Sequence, residues 1–483
     1  MAKKFYVTTA IDYVNAEPHI GHAYQKVLAD VLARWHKVIG DDVFYLTGTD
    51  EHGQKIAKSA EEKNESPKEF VDSLALKFKE AWEELDIKFD RFIRTTDKDH
   101  EKKVQDFIRL IDKKGDIYKG EYKGLYCEGC EAYITEKDLI NGKCPFHPNR
   151  EIKEIMEETY FFRLSKYRDK LLEFYKKNKD YILPAFRRQE IINRVKEGLK
   201  DLNITRLKKN MSWGIQFPLD KDYVVYVWYE ALLNYITGIG WPDDVKFKKF
   251  WPADVEILGT DNAWFHCVIW PAMLFSAGIK PQKSILINGF LTFEGQKISK
   301  SLGNSISPKK LIEQYGSDSV RYYLCRNFVI GEDWDFSEKN LIYRNNGELA
   351  DKLGNLVSRV TALAEKYGIE KCENKLLKKL ELKKIDKLFE NYELDKVLNE
   401  IFAFIDVCNE YVQSKKIWET KEKKQLYELV DSIKAIAILL WPFLPETSEK
   451  IAKNFGFKIS LDEIKKLIAV KKIKKSEILF KKI

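Results

Sequence analysis

The chain of 483 residues has no uninterrupted apolar run long enough to cross a bilayer, which excludes a helical membrane protein. Its first residues are not expected to be a secretory leader. MAKKFYVTTAIDYVNAEP carries two lysines, but strand-like alternation and acidic residues follow where an apolar core would be needed. Cytoplasmic residence, with no membrane partner, is the resulting expectation. Charge of one sign is in only small excess: 83 Lys and Arg stand against 75 Asp and Glu, a net +8. So mild a balance suits a polyanionic partner without demanding one. No internal repeat is visible. Cysteine is scarce and odd in number, seven in all, and three of the seven fall within residues 127–144. That clustering points to a metal site and away from a disulfide framework. Histidine is as scarce, seven in the chain, yet two sit three positions apart in PHIGHAY, residues 18–24.

What is present describes an ordinary folded protein, 44% hydrophobic and 33% charged. The length is too great for one core and fits two to four domains. KFYVTTAI (4–11) reads as a buried strand, followed by the loop DYVNAEP and a helix from about Ile20 with Val27, Val31 and Leu32 on its apolar side. VFYLTGTDEHG (43–53) has the same form. Strand, loop and helix in alternation predict a parallel α/β sheet with ligands at the carboxyl ends of its strands. Ser66-Pro67-Lys68-Glu69 combines an N-cap, a first-position proline and a third-position glutamate, and so predicts a helix start. Residues 116–222 break the rhythm and read as an insertion. Apolar strands are expected again at YVVYVW (223–228), VEILGT (255–260) and SILINGF (284–290). Segments 1–115 and 223–325 are therefore expected to be two halves of one Rossmann-like α/β domain. After a connecting segment, 326–348, only helical patterns remain. Leu349, Leu353, Leu356, Val360 and Leu363 form one apolar stripe, and 349–483 is expected to be an all-α bundle.

Cys127-x2-Cys130 and Cys144-x2-His147 are two pairs separated by thirteen residues. Four soft or borderline ligands at this spacing suit one closed, tetrahedral, structural Zn²⁺. The remaining cysteines, Cys267, Cys325, Cys372 and Cys408, read as small buried apolar residues.

A glycine at a strand-to-helix turn lets a flat ligand approach the backbone, and a helix N-terminus favours phosphate. Histidines beside it can donate hydrogen bonds to phosphate oxygens. Alone, His-x-x-His more often reflects a helix start or a chance metal pair. Far downstream, KISKSLGN (297–304) sets two lysines around a serine in a Gly- and Ser-rich stretch, a loop able to close on a polyphosphate. By itself that stretch reads better as a solvated surface loop. Together the two elements resemble the HIGH and KMSKS signatures of class I aminoacyl-tRNA synthetases. Here they read His19-Ile20-Gly21-His22 and Lys297-Ile298-Ser299-Lys300-Ser301. The resemblance implies that His19, His22, Lys297 and Lys300 stabilise the transition state and the departing pyrophosphate as the α-phosphate of ATP is attacked. That is electrostatic preorganisation, with no covalent enzyme intermediate. It also implies that Gly21, Gly259, Asp261 and Lys300 hold ATP, which carries its Mg²⁺.

TTAIDYVNAEPHIGHAYQ, FYLTGTDEHG, YVWYEALLNY and WFHCVIWPAML are similar to the methionyl-tRNA synthetase family, in its single-zinc bacterial type. Carried over residue by residue, Ile11, Tyr13, Trp228, Ala231, Tyr235, His266 and Trp270 line or close a methionine pocket, and Asp50 receives the α-ammonium. Aromatic walls suit a polarizable thioether, and a carboxylate suits an ammonium. The four Cys and His ligands match the family's zinc knuckle. Asn355 and Arg359, which share a helix face, and Trp418 fall where the family reads the CAU anticodon, by stacking and base-edge hydrogen bonds. The implied partners are ATP, L-methionine and tRNA(Met), and the implied architecture is a catalytic domain with a zinc insertion and a helical anticodon-binding domain. A monomer is expected. The chain departs from the family's common pattern at Ala10, Asp12 and Glu230, where proline, tyrosine and aspartate are usual. Thr260 replaces a lysine, and Ile417 replaces the proline before Trp418. A non-catalytic RNA-binding relative would be expected to have lost some signature residues. Leucine, isoleucine and valine enzymes carry a larger editing insertion, and the pocket residues argue against a cysteinyl enzyme.

Overall fold

Seven strands form one sheet, and every pairing in it is parallel. The computed structural model describes all residues except 1, 2, 131, 135–138, 294, 298–305, 328 and 471; at 122, 123, 132, 133, 155, 157, 296 and 297 it describes the backbone alone. Lys4–Thr9 lies between Asp42–Asp50 on one side and Val255–Gly259 on the other. Ile285–Asn288 and then Ile182–Leu183 extend the second side, while Asp12–Tyr13 and Arg91–Arg94 both pair with Asp42–Asp50. Strands buried on both faces need apolar residues on both, which is why they read as continuous hydrophobic runs. Alternate side chains divide between two cores. Phe5, Val7 and Tyr45 meet helix Ile20–Val38 on one face. Tyr6, Phe44 and Leu46 share the other core with residues of helices Lys98–Asp112 and Trp270–Ala277. The chain leaves the central strand toward one edge and later returns on the opposite side. The carboxyl ends of Lys4–Thr9 and Val255–Gly259 thus form the crevice where such sheets bind ligands.

Two features differ from the sequence expectation. Within YVVYVW only Tyr223–Val225 is a strand; it pairs antiparallel with Thr205–Leu207 outside the main sheet, and a helix begins at Val227. A short continuous apolar run cannot distinguish a buried strand from a buried helix, and here it is both in turn. The second is the edge strand Ile182–Leu183, which comes from inside the span 116–222. The rest of that span holds a four-stranded antiparallel sheet, built on Ile117–Cys127 paired along its length with Ile152–Phe162.

Beyond Glu338 the fold is helical. Leu349, Leu353, Leu356 and Val360 are buried as one stripe, although it runs from a π-helical segment, Asn345–Gly354, into the α-helix Asn355–Tyr367. Helix Lys423–Leu440 is buried at every position from Leu426 to Leu440, the centre of the bundle. Helices Leu394–Ser414 and Pro445–Phe455 pack on it. Among the described residues no helix is long and apolar enough to cross a membrane.

Candidate active site

A cavity of about 280 Å³ opens at the carboxyl ends of the central strands. His19, Gly21 and His22 line one part of it, with Gly259 and Asp261 nearby. Ile11, Tyr13, Asp50, Trp228, Ala231, Tyr235 and His266 line the remainder. Trp270 is the exception among the expected pocket residues. It is fully buried and stands behind Tyr235, with ring centroids 6.0 Å apart. Four residues after His266 it occupies the same helix face one turn deeper, so it supports the wall without forming it.

The histidine pair closes a reciprocal cap on helix Ile20–Val38. The Gly21 amide donates to His19 Nδ1 at 3.1 Å, and the His19 amide donates to His22 Nδ1 at 3.2 Å. This is the capping-box arrangement with a histidine where Glu or Gln is usual. Because both Nδ1 atoms accept, each neutral ring carries its proton on Nε2. The rings stack at 3.7 Å between centroids. A Cβ on Gly21 would stand 3.0 Å from the His19 ring and press on it, so glycine suits this turn. The same helix end carries the positive end of the helix dipole, which favours phosphate.

The two flanks of the lysine segment return to this turn. Leu291–Phe293 pairs antiparallel with Gln296–Lys297, and Leu291 lines the cavity. On the far side of the segment, the Ile306 carbonyl accepts from the Ile20 amide at 3.0 Å. Residues 298–305, Lys300 among them, lie outside the described residues, and at Lys297 only the backbone is described. Both flanks nevertheless end beside the histidines. Thr260, in the usual lysine position, donates its hydroxyl to the Asn288 carbonyl at 2.8 Å and ties two strand ends together.

On the amino-acid side, His266 Nδ1 lies 2.8 Å from the Asn262 carbonyl and must donate to it. His266 Nε2 therefore accepts from the Tyr235 hydroxyl at 2.7 Å. Burial holds this imidazole neutral, its pKa pushed down to about 4. Trp228 stacks on Phe265 with centroids 4.5 Å apart. Asp50 is buried at the end of its strand and in register with Tyr13. Sequence reasoning missed Asn288 and Asn234, which also line the cavity. Asn288 has neither amide atom paired among the described residues, and Asn234 lacks a partner for Oδ1. A polar residue ending the apolar run SILIN was the available signal. It missed as well the ion pair of Lys26 with Asp12 at 2.5 Å, in which Lys26 also donates to the Ala10 carbonyl at 2.9 Å. Two of the departures from the family pattern, Ala10 and Asp12, are thus held by one buried lysine.

The donor atoms of Cys127, Cys130, Cys144 and His147 lie within 4.8 Å of one another. Cys130 Sγ is 3.3 Å from Cys144 Sγ and 3.2 Å from His147 Nδ1. Tetrahedral Zn–S bonds of about 2.3 Å place such donors about 3.8 Å apart, so the residues present fit the ion. A Cβ on Gly129 would lie 2.3 Å from the His147 ring, which explains the glycine in that knuckle.

In the helical half, a concavity of about 360 Å³ is lined by Arg359, Leu363, Gln413 and Trp418. Asn355 is not among the lining residues; its Nδ2 lies 3.5 Å from Asp351 Oδ1, one turn back on the helix. Gln413 comes from a different helix, Leu394–Ser414, so no spacing around Arg359 could have revealed it.

Residues 5–155 and 147–361 match the family model described as tRNA synthetases class I (M), and residues 373–481 match the anticodon-binding domain of tRNA ligase. The methionine–tRNA ligase of Thermotoga maritima is 44% identical over 477 residues, covering 94% of this chain and 75% of its own. That of Caldanaerobacter subterraneus subsp. tengcongensis is 42% identical over 509 residues, covering 100% and 79%. Among solved structures, Mycobacterium tuberculosis methionyl-tRNA synthetase in complex with methionyl-adenylate superposes with a TM-score of 0.94 at 35% identity, covering 99% of both chains. At these identities and coverages the chain is a member of the class I methionine–tRNA ligase family.

Proposed function

We propose that this protein activates L-methionine with ATP and transfers the methionyl group to the 3′-terminal adenosine of tRNA(Met), acting as a cytoplasmic monomer. The observation that carries the reading is the meeting of the histidine turn and both flanks of the lysine segment at the mouth of an aromatic-walled cavity. Asp50 accepts the α-ammonium, and Trp228, Ala231, Tyr235, Ile11, Tyr13 and His266 enclose the side chain, with Trp270 behind them. A carboxylate oxygen of methionine attacks the α-phosphorus, the bond to the bridging oxygen breaks, and pyrophosphate leaves. His19 and His22 donate from Nε2 to the phosphate oxygens where charge builds. Lys297 and Lys300 neutralise the β- and γ-phosphates as pyrophosphate departs. Gly21 and Gly259 let the nucleotide lie against the backbone beside Asp261. Mg²⁺ bound with ATP supplies further charge neutralisation on the phosphates. A ribose hydroxyl of the tRNA then attacks the acyl carbon and AMP departs.

Cys127, Cys130, Cys144 and His147 would hold one Zn²⁺ in a closed ligand set, which shapes the insertion and leaves no open position for chemistry. Trp418, with Arg359 and Gln413, offers a platform for a splayed base, and Asn355 stands one turn away on the helix that carries Arg359. The test is charging of a tRNA(Met) transcript with CAU anticodon, set beside the same transcript with that triplet altered. Methionylation of the first and its collapse on the second is the expected result; equal charging of both overturns the anticodon reading.

A further inference from the structure

Glu230 is fully buried, lies outside the cavity, and joins two histidines from two other elements. Its Oε1 is 2.7 Å from His52 Nδ1 and its Oε2 is 3.0 Å from His100 Nε2. His100 Nδ1 is in turn 2.8 Å from the Thr237 hydroxyl. No step of the reaction uses this cluster, yet its members sit beside residues that do. His52 follows Asp50 by two positions, at the turn that ends strand Asp42–Asp50. Glu230 lies between Trp228 and Ala231 on the short helix Val227–Ala231. His100 belongs to helix Lys98–Asp112, which packs on the short helix Asn234–Thr237 that follows Val227–Ala231. The turn is held from its other side too. The Trp213 indole donates to the Glu51 carbonyl at 2.6 Å, and the Gly53 amide donates to the Trp213 carbonyl at 3.1 Å.

We propose that Glu230 is a positioning residue that fixes the distance between the ammonium anchor, Asp50, and the side-chain wall formed by Trp228 and Ala231. The inference rests on the methionine reading above and deepens it. One carboxylate with two acceptor oxygens spans the gap between the anchor's strand and the wall's helix. Where aspartate is usual, the glutamate has one methylene more to reach both imidazoles. A buried carboxyl group hydrogen-bonded through both oxygens to imidazole nitrogens is held in one orientation, because leaving any of these polar groups unpaired in this interior is costly. Fixing anchor against wall selects side chains by length. That is a specificity role, exercised through residues that touch the substrate and not by Glu230 itself.

The test is amino-acid-dependent pyrophosphate exchange with E230Q, E230D, H52N and the double variant E230Q/H52N. Loosened geometry is expected to raise the methionine KM about tenfold or more in E230Q and H52N while the ATP KM stays unchanged. The preference for methionine over ethionine, one methylene longer, falls in the same variants. The double variant is no worse than E230Q alone, since both remove one contact, and E230D falls between wild type and E230Q. Should E230Q not fold, H52N and E230D carry the same readings with the carboxylate in place. The proposal is overturned if the KM values for methionine and ATP rise together, if neither moves, or if the ethionine ratio is unchanged. Absence of methionine-dependent exchange in the wild type would remove the underlying reading, a result separable from any variant effect.

Discussion

The Asp30 carboxylate and the Arg321 guanidinium meet at 2.6 Å with neither side chain exposed, although 291 residues separate them in sequence. Arg321 also donates to the carbonyls of Leu85 at 3.0 Å, Pro442 at 2.7 Å and Phe443 at 3.2 Å, while Arg34 binds Asp30 at 2.7 Å. Helix Ile20–Val38, which starts at the histidine turn, is thereby tied at mid-length to the loop after helix Lys423–Leu440. Without Arg321, Asp30 keeps Arg34, but three buried carbonyls lose their donor, at about 1–3 kcal/mol for each group left unsatisfied. R321M should lower the urea unfolding midpoint accordingly. R321K should not rescue it, because an ammonium cannot reproduce the planar fork. A midpoint unchanged in R321M contradicts this view of how the two halves are joined.

His19 has two duties that a substitution can separate. Asparagine also caps a helix N-terminus well, so H19N should keep the fold. It cannot supply the Nε2 proton at the same place, and the rate of pyrophosphate exchange should fall about 10²–10³-fold, as for loss of one donor to a developing oxyanion. Far-UV circular dichroism checks the first statement and exchange kinetics the second. A variant with full activity would show the ring to be structural only.

The buried His266 makes stability depend on pH. Its pKa is about 4 in the folded protein, against 6.5 when unperturbed. Between these values the unfolded chain binds more protons, so stability rises with pH. The contribution is complete above pH 6.5 and is lost as pH falls toward 4, about 3 kcal/mol in all. Burial raises the pKa of nearby Glu256, which contributes with the opposite sign but is common to wild type and H266N. Urea titrations of both from pH 7 to 4 should therefore show the wild type losing stability more steeply. Parallel curves would contradict the assignment.

The knuckle should carry about one zinc per chain on elemental analysis. Chelation or C144S should raise hydrogen exchange in the Cys127 end of strand Ile117–Cys127 and in its partner around Ile152, which the four donors hold together. Exchange in the seven-stranded sheet should stay as it was. Retained protection at Cys127 after complete removal of the metal would show that the ion does not support the insertion.

Much of the site was legible in the sequence because its chemistry demands residue types that are scarce or restricted. Imidazoles around a glycine, lysines around a serine and four spaced metal ligands each stand out against their surroundings. The parallel sheet was legible from apolar strands alternating with helices. What escaped depends on contacts between distant segments. Nothing near Glu230 announces His52 and His100, and nothing near Asp30 announces Arg321. Trp270 shares a helix face with His266, but its depth is set by how that helix packs against Tyr235. YVVYVW has one hydrophobic character throughout and two backbone conformations, and only its neighbours decide where one gives way to the other.

The most direct test of the central claim is exchange of labelled pyrophosphate into ATP, run with each of the twenty amino acids in turn. The account predicts exchange that depends on methionine and is at least about a hundredfold weaker with leucine, isoleucine, valine or cysteine, since a pocket shaped for one side chain rejects its neighbours by such factors. Equal or greater exchange with any other amino acid, or none with methionine, would contradict it.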